Sequence, residues 1–184
     1  KGMSIEGLTF EVQPLQGVAG ALFGMSPTQV EKVLGPPDES RIDIQEDFAN
    51  LSEERFVTSR KWQYNDLGLS LSFTAPDDRP FDTRFRSCEI VNPRAEVFGI
   101  QFIGLSEAQF LKALASSQLP ETVLCSDLRK LCPDDPEYDV REYICDQLRI
   151  TFWVEQGVVA SIWVADEWRS TSDIKERPGI HFLG

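Results

Sequence analysis

Positive charge is scarce in this sequence. Its 184 residues include 18 Lys and Arg against 30 Asp and Glu, so the net charge is −12 at pH 7. Proteins that bind nucleic acids or anionic membranes need clustered Lys and Arg, and no local run supplies such a cluster. The sequence therefore predicts no nucleic-acid partner and no anionic membrane partner.

Long apolar runs are also missing. No segment approaches the roughly 20 apolar residues of a transmembrane helix, and residues 1–10 lack the apolar stretch of a signal peptide. We expect no membrane insertion and a cytoplasmic location. Because the first residue is Lys1 rather than Met, a periplasmic or secreted location after removal of a leader is the alternative.

Histidine and cysteine, the usual ligands of zinc and other transition metals, are few. The only histidine is His181, and the four cysteines stand at positions 88, 125, 132 and 145, without a C-x-x-C pair. We therefore predict no metal site and expect small buried thiols of an intracellular protein. A bridge between Cys125 and Cys132 stays open if the protein is exported.

Catalytic motifs are missing as well. The sequence contains no P-loop, dinucleotide-binding, zinc-protease or nucleophile-elbow motif, so we predict a protein that is not an enzyme and needs no cofactor. Two facing carboxylates can carry out acid–base chemistry by themselves. A carboxylate-based enzyme is therefore our third functional hypothesis.

What the sequence does contain is an internal repeat. Residues Phe23–Leu34 align without a gap on Ile103–Leu114 at an offset of 80. At an offset of 79, Tyr64, Leu69, Leu71 and Phe73 align on Tyr143, Leu148, Ile150 and Phe152. We predict an α+β fold with two tandem αβ repeats, which form an antiparallel sheet with helices on one face. The repeats span residues 13–93 and 94–166, between an N-terminal strand or arm (1–12) and a C-terminal tail (167–184).

Each repeat begins with a predicted helix, Pro27–Leu34 or Glu107–Ser116. Ser26 and Ser106 are suited to cap the free amides at the helix start, each with a glutamine three residues later as in a capping box. Gly35, in a left-handed conformation and followed by two prolines, ends the first helix.

Strands follow each helix. Alternating apolar residues predict strands at Phe56–Tyr64, Leu67–Thr74, Arg86–Val91, Asp139–Cys145, Leu148–Val154 and Val158–Val164. The residues expected to face the core in the first repeat are Leu69, Leu71, Phe73, Cys88 and Ile90. We expect the charged segment Asp38–Glu54 to be an irregular connection.

The last two strands indicate a candidate binding surface. A three-residue loop, Glu155–Gly157, places Val154 opposite Val158 and keeps the apolar faces pure. Trp153 then lies opposite Val159, and Arg149 opposite Trp163. On the face away from the helices we therefore predict a partner-binding site of Arg149, Thr151, Trp153, Val159 and Trp163. The same face of the first repeat carries Ser70, Ser72, Thr74, Ser87 and Glu89.

A competing interpretation treats the two tryptophans as ordinary core. Ile180, Phe182 and Leu183 of the tail can fold back and cover their rings, because bare aromatic patches are uncommon on monomers.

The first repeat resembles the small outer-membrane assembly lipoproteins of the SmpA/OmlA type. The matching segments are Gly24-Met25-Ser26, Gln29-Val30, Leu34-Gly35-Pro36-Pro37, Trp62-Gln63-Tyr64 and Leu69-Ser70-Leu71-Ser72-Phe73. The tandem arrangement resembles the β-lactamase-inhibitor-protein fold family, in which two similar units build one continuous concave sheet backed by helices. The resemblance implies that fold for this chain.

These observations favour a non-enzymatic protein-binding module, inhibitor-like or immunity-like, that uses the helix-free face of the sheet. The net charge of −12 favours a basic protein partner and salt-sensitive association. The alternative is an envelope-assembly or scaffold protein that associates with itself, for example as a homodimer.

Overall fold

The computed structural model describes residues 10–47, 55–75, 82–127 and 139–166. In chain order the elements are β1 (Phe10–Gln13), β2 (Gly17–Val18), β3 (Ala21–Leu22), α1 (Pro27–Leu34), β4 (Glu39–Asp47), β5 (Arg55–Tyr64), β6 (Leu69–Thr74), β7 (Arg84–Ile90), β8 (Ala95–Val97), β9 (Ile100–Gln101), α2 (Glu107–Ser116), β10 (Val123–Asp127), β11 (Val140–Cys145), a 3₁₀ turn (Asp146–Leu148), β12 (Ile150–Glu155) and β13 (Val158–Ala165). The protein is thus of mixed α and β structure, as predicted, with strands predominating.

The strands of the described residues form two sheets. The larger one has eight antiparallel strands in the order β10-β11-β12-β13-β7-β6-β5-β4, and the smaller one has the order β3-β2-β1-β8-β9. In the large sheet, β13 pairs with β7, so that Ile162 lies opposite Ile90 and Val164 opposite Cys88. This central pairing joins the strands that follow α1 to those that follow α2.

One face of the large sheet forms the core. Phe73 and Phe152 are fully buried, as the alternation predicted, and so are the other residues expected to face inward in the first repeat. From the helices, Val30 and Phe110 enter the same apolar cluster. The ring of Phe110 lies 5.0 Å from that of Phe152, which places α2 directly on this face.

Both helices begin as predicted. Ser26 and Ser106 each accept the backbone N–H of the glutamine three residues later, and the side chain of each glutamine accepts the N–H of its serine. The bounds of both helices agree with the prediction. Gly35 ends α1 at φ 84° and ψ −178°, which is not the left-handed conformation expected but an extended one that only glycine adopts readily.

The predicted irregular connection Asp38–Glu54 is wrong over most of its described length. Residues Glu39–Asp47 form β4, which pairs with β5 from Glu39 opposite Gln63 to Asp47 opposite Arg55. β4 is an edge strand, so its backbone needs hydrogen bonds on one side only and it need not present an apolar face. The short strands of the small sheet and the opposite edge strand, β10, had also not been predicted, apart from a strand or arm at the N-terminus.

The predicted register of the β12–β13 hairpin is wrong as well. The connection is a two-residue turn, Gln156 (φ 49°) and Gly157 (φ 78°), with Glu155 opposite Val158 and Val154 opposite Val159. Two positive φ angles in succession are typical of the type I′ turn that suits a twisted hairpin. A bulge at Ala160 then shifts the ladder, so that Trp153 lies opposite Ser161. The bulge keeps the apolar residues of both strands on the core face. The sequence analysis had expected the three-residue loop Glu155–Gly157 to have this effect.

Tyr64 links the sheet to the end of α1 and provides a pH-dependent test. Its hydroxyl donates to the carbonyl oxygen of Gly35 at 3.0 Å. Burial, followed by the negative charges of Glu31 and Asp38, raises the pKa of Tyr64 to about 12.

In the unfolded chain a tyrosine titrates near pH 10, so the raised pKa stabilises the fold fully below about pH 10. This contribution is lost as the pH rises from about 10 to about 12. We expect the tyrosinate absorbance of wild type minus that of Tyr64→Phe to titrate with a midpoint near 12, and the stability difference between them to shrink over the same interval. A difference curve with its midpoint near 10 would contradict the raised pKa.

Candidate binding groove on the open face

The side of the large sheet opposite the core is called here the open face. It carries the side chains that alternate with the core-facing ones: Lys61 of β5, Ser70 and Ser72 of β6, Ser87 and Glu89 of β7, Thr151 and Trp153 of β12, and Ser161 and Trp163 of β13. Thr151 and Ser161 are themselves buried. Cross-strand pairing arranges them in rows. One row runs from Ser70 through Glu89 and Trp163 to Thr151, and the next contains Lys61, Ser72 and Ser87.

A groove of about 430 Å³ lies at the middle of the open face. Its lining consists of Lys61, Ser70, Ser72, Ser87, Glu89, Trp153 and Trp163. The serines come from β6 and β7, and the tryptophans come from β12 and β13. The groove therefore spans the junction at which β7 meets β13.

The groove is polar at one side and aromatic at the other. In the described part of the chain, neither Lys61 nor Glu89 forms an ion pair, and the hydroxyls of the three serines form no hydrogen bond with the protein. Trp153 and Trp163 are each partly exposed. The groove thus offers a cation, an anion, hydroxyl groups and two indole rings to a bound molecule.

The structure places three of the predicted site residues on the open face. Trp153 and Trp163 line the groove. Thr151 lies directly opposite Trp163 but is only 1% exposed, and its hydroxyl has no hydrogen-bond partner among the described residues. Thr151 is therefore buried and does not line the groove.

The predictions for Val159 and Arg149 are wrong in position. Val159 lies opposite Val154, and its side chain is in the core and 1% exposed. The bulge at Ala160 follows Val159 along β13, so Val159 is on the face of Val154 and not on the face of Trp153. Arg149 precedes β12 and ends the 3₁₀ turn in a left-handed conformation (φ 54°), so Thr151 and not Arg149 is opposite Trp163. The tail residues Ile180, Phe182 and Leu183 lie outside the described residues.

Lys61 is a groove residue that the sequence analysis did not select. The signal was present, because Trp62 and Tyr64 are buried and strand alternation places Lys61 on the other face. The serines and Glu89 had been assigned to this face but not to a site. What had not been predicted was the pairing of β7 with β13, which brings them next to the tryptophans.

A second polar cluster lies on the core side. Arg141 of β11 is 4% exposed and forms ion pairs with Glu107 of α2 and, at 3.0 Å, with Asp139. The hydroxyl of Tyr143 donates to the same Glu107 carboxylate at 2.6 Å. This network fastens the first turn of α2 to the sheet.

The cysteines in the described residues are free thiols: Cys88, Cys125 and Cys145, whereas Cys132 lies outside the described residues. Cys88 and Cys145 are buried as expected, but the prediction of a buried thiol is wrong for Cys125, which is exposed on the edge strand β10. Desolvation is the main cause that raises the pKa of Cys88 and of Cys125, so both stay protonated near neutral pH. Over the four described ranges, no three His, Cys, Asp or Glu side chains are grouped as a metal ion requires.

Comparisons with family models, with curated proteins and with solved structures find no match to this chain. In the part of the chain that the structure describes, no helix is long and apolar enough to cross a membrane. The groove is therefore interpreted from its own geometry and chemistry.

Proposed function

We propose that the chain is a tandem duplication of one αβ unit, with copies at residues 13–93 and 94–166. Two parallels support this proposal. Each helix follows a short hairpin with a two-residue turn of positive φ, Ala19-Gly20 or Phe98-Gly99. Each helix also precedes four strands, and the two sets occupy the two halves of the large sheet in mirrored order. The two copies would then meet at β7 and β13.

We infer that the protein is a non-enzymatic binding module, inhibitor-like or immunity-like, which binds a protein partner through the open face. The groove carries this inference, since it combines two partly exposed tryptophans with a lysine and a glutamate that form no ion pair in the described structure. Tryptophan is among the residues that most often dominate interface energies.

Charge indicates the kind of partner. A net charge of −12 accelerates association with a basic protein, and salt weakens this long-range attraction. The inhibitor-like and the immunity-like hypotheses both predict a basic protein partner.

The test is capture of partners by the full chain at about 0.05 M and about 0.5 M salt, where the screening length falls severalfold. We expect a basic protein that binds more weakly at high salt. Trp163→Ala is expected to weaken binding by tenfold or more, as truncation of an interface anchor does. Phe98→Ala is the control, because Phe98 is 47% exposed at the β8–β9 turn and away from the groove. If Trp163→Ala binds the partner as tightly as Phe98→Ala does, the open face is not the interface.

Self-association through sheet edges is the second candidate function, as expected of an envelope-assembly or scaffold protein. Both edge strands of the large sheet carry exposed apolar residues: Val123 (47%) and Leu124 (45%) on β10, and Ile42 (54%) on β4. Edges that pair with no other described strand can pair with a second copy. The test is size-exclusion chromatography with light scattering. A molecular mass that rises with protein concentration in wild type, but not in Leu124→Lys, would favour self-association over the first candidate.

A further inference from the structure

The pairing of Trp163 with Glu89 indicates what the groove binds. The two residues lie directly opposite each other on β13 and β7, and both line the groove. Trp153 is on the neighbouring strand β12, two residues beyond the residue that faces Trp163, and lines the same groove. A carboxylate beside an indole ring is a favourable environment for a cation, since the ring face attracts positive charge and the carboxylate neutralises it.

Among the described residues, no cation neutralises the Glu89 charge. Glu89 is exposed and forms no ion pair in the described structure. The other charged residue of the groove, Lys61, stands two strands and two residues away. Strand spacing and rise place the two Cα atoms about 12 Å apart, and no ion pair joins the two side chains in the described structure.

We propose that the groove receives one arginine side chain of a protein partner. The guanidinium stacks on the indole rings of Trp163 and Trp153 and donates hydrogen bonds to the Glu89 carboxylate. Arginine fits better than lysine, because its planar group both stacks on aromatic rings and donates to a carboxylate through two N–H groups. This proposal rests on the proposed function and specifies the partner's anchor residue.

The remaining groups in the groove fit the backbone that carries such a side chain. The hydroxyls of Ser70, Ser72 and Ser87 can donate to or accept from peptide groups. Lys61 favours a carbonyl or carboxylate acceptor at its end of the groove and disfavours a second cation there. The expected partner segment therefore has a single arginine flanked by neutral or acidic residues. The volume of about 430 Å³ is in the range of sites that hold a molecule of a few tens of atoms.

The probe for this site is N-acetyl-arginine amide, with N-acetyl-citrulline amide as the neutral counterpart of nearly the same shape. Nuclear magnetic resonance of the ¹⁵N-labelled full chain follows the indole N–H signals of Trp153 and Trp163. We expect the arginine probe to shift both signals and to saturate in the millimolar range. The citrulline probe should bind at least tenfold more weakly.

The decisive variant is Glu89→Gln, which removes the charge and keeps the shape. It should weaken binding of the arginine probe by tenfold or more. Glu39→Gln is the matched control, since Glu39 is exposed on the edge strand β4 of the same sheet, at the far end of the Glu89 row. It should leave the affinity unchanged. Thermal unfolding of both variants shows whether they keep the fold.

Three outcomes would overturn the proposal: equal binding of both probes, indole signals that do not move, or a Glu89→Gln variant that binds like wild type. The probe experiment needs no protein partner, so its failure leaves the capture experiment intact. If the probe binds as expected but no protein partner is captured at either salt concentration, the arginine site stands and the protein-binding function is wrong.

Discussion

Phe152→Ala is expected to lower the free energy of unfolding by about 3–5 kcal/mol, as removal of a fully buried phenylalanine generally does. The ring of Phe152 is completely buried and lies 5.0 Å from the ring of Phe110 and 5.2 Å from that of Phe102. Its loss leaves a cavity between the sheet and α2. Because small proteins have only about 5–15 kcal/mol of stability, the variant should unfold at a much lower urea concentration.

The neighbouring residue provides the control. Trp153→Ala removes a larger ring from the same strand, but from the open face, where the ring is partly exposed and leaves no enclosed cavity. We expect a loss of about 1 kcal/mol, the typical cost of a single substitution. An equally large loss in both variants would mean that the tryptophans belong to a second core. That result would remove the basis of the binding-groove proposal.

Arg141→Met is expected to lower the free energy of unfolding by about 3–5 kcal/mol, the usual cost of breaking a buried ion pair. The substitution removes the partner of Glu107, to which Arg141 and Tyr143 are bound. It also leaves the Glu107 carboxylate partly buried, with 23% of its side chain exposed. Urea unfolding measures the effect.

Two further variants test the cause of this loss. Arg84→Met breaks the ion pair with Asp82, in which both side chains are 35% exposed, and should cost less than about 1 kcal/mol. In the double variant Glu107→Met with Arg141→Met, the less exposed carboxylate is gone and only the ion pair of the more exposed Asp139 is still broken, so part of the lost stability should return. If Arg141→Met costs no more than Arg84→Met, the buried network does not fasten α2 to the sheet.

The two faces of the large sheet differ in the residues that they carry. The core face carries the apolar residues that hold the helices, and the open face is free to differ between the two halves of the chain. Serines occupy it on β6 and β7, whereas tryptophans occupy it on β12 and β13. The proposed arginine site lies where these two kinds of surface meet. A single half of the sheet would not contain it.

The sequence by itself determined the features whose signals are local. Both helices have the predicted bounds, because a capping box and an apolar stripe act within a few residues of the chain. The inward-facing residues of β6 and β7 followed from strand alternation in the same way. The positions of Trp153 and Trp163 on the open face followed from it too.

Only the tertiary structure decided how the strands pair. β4 has little apolar alternation, and hydrogen bonds to β5 make it a strand, so its own residues did not reveal it. The bulge at Ala160 moved Val159 into the core, and the 3₁₀ turn removed Arg149 from the ladder, because register depends on hydrogen bonds between strands and not on the pattern within one. The groove itself requires β7 to pair with β13. This pairing joins residues some 70 positions apart, such as Glu89 and Trp163, and the sequence contains no local signal for it.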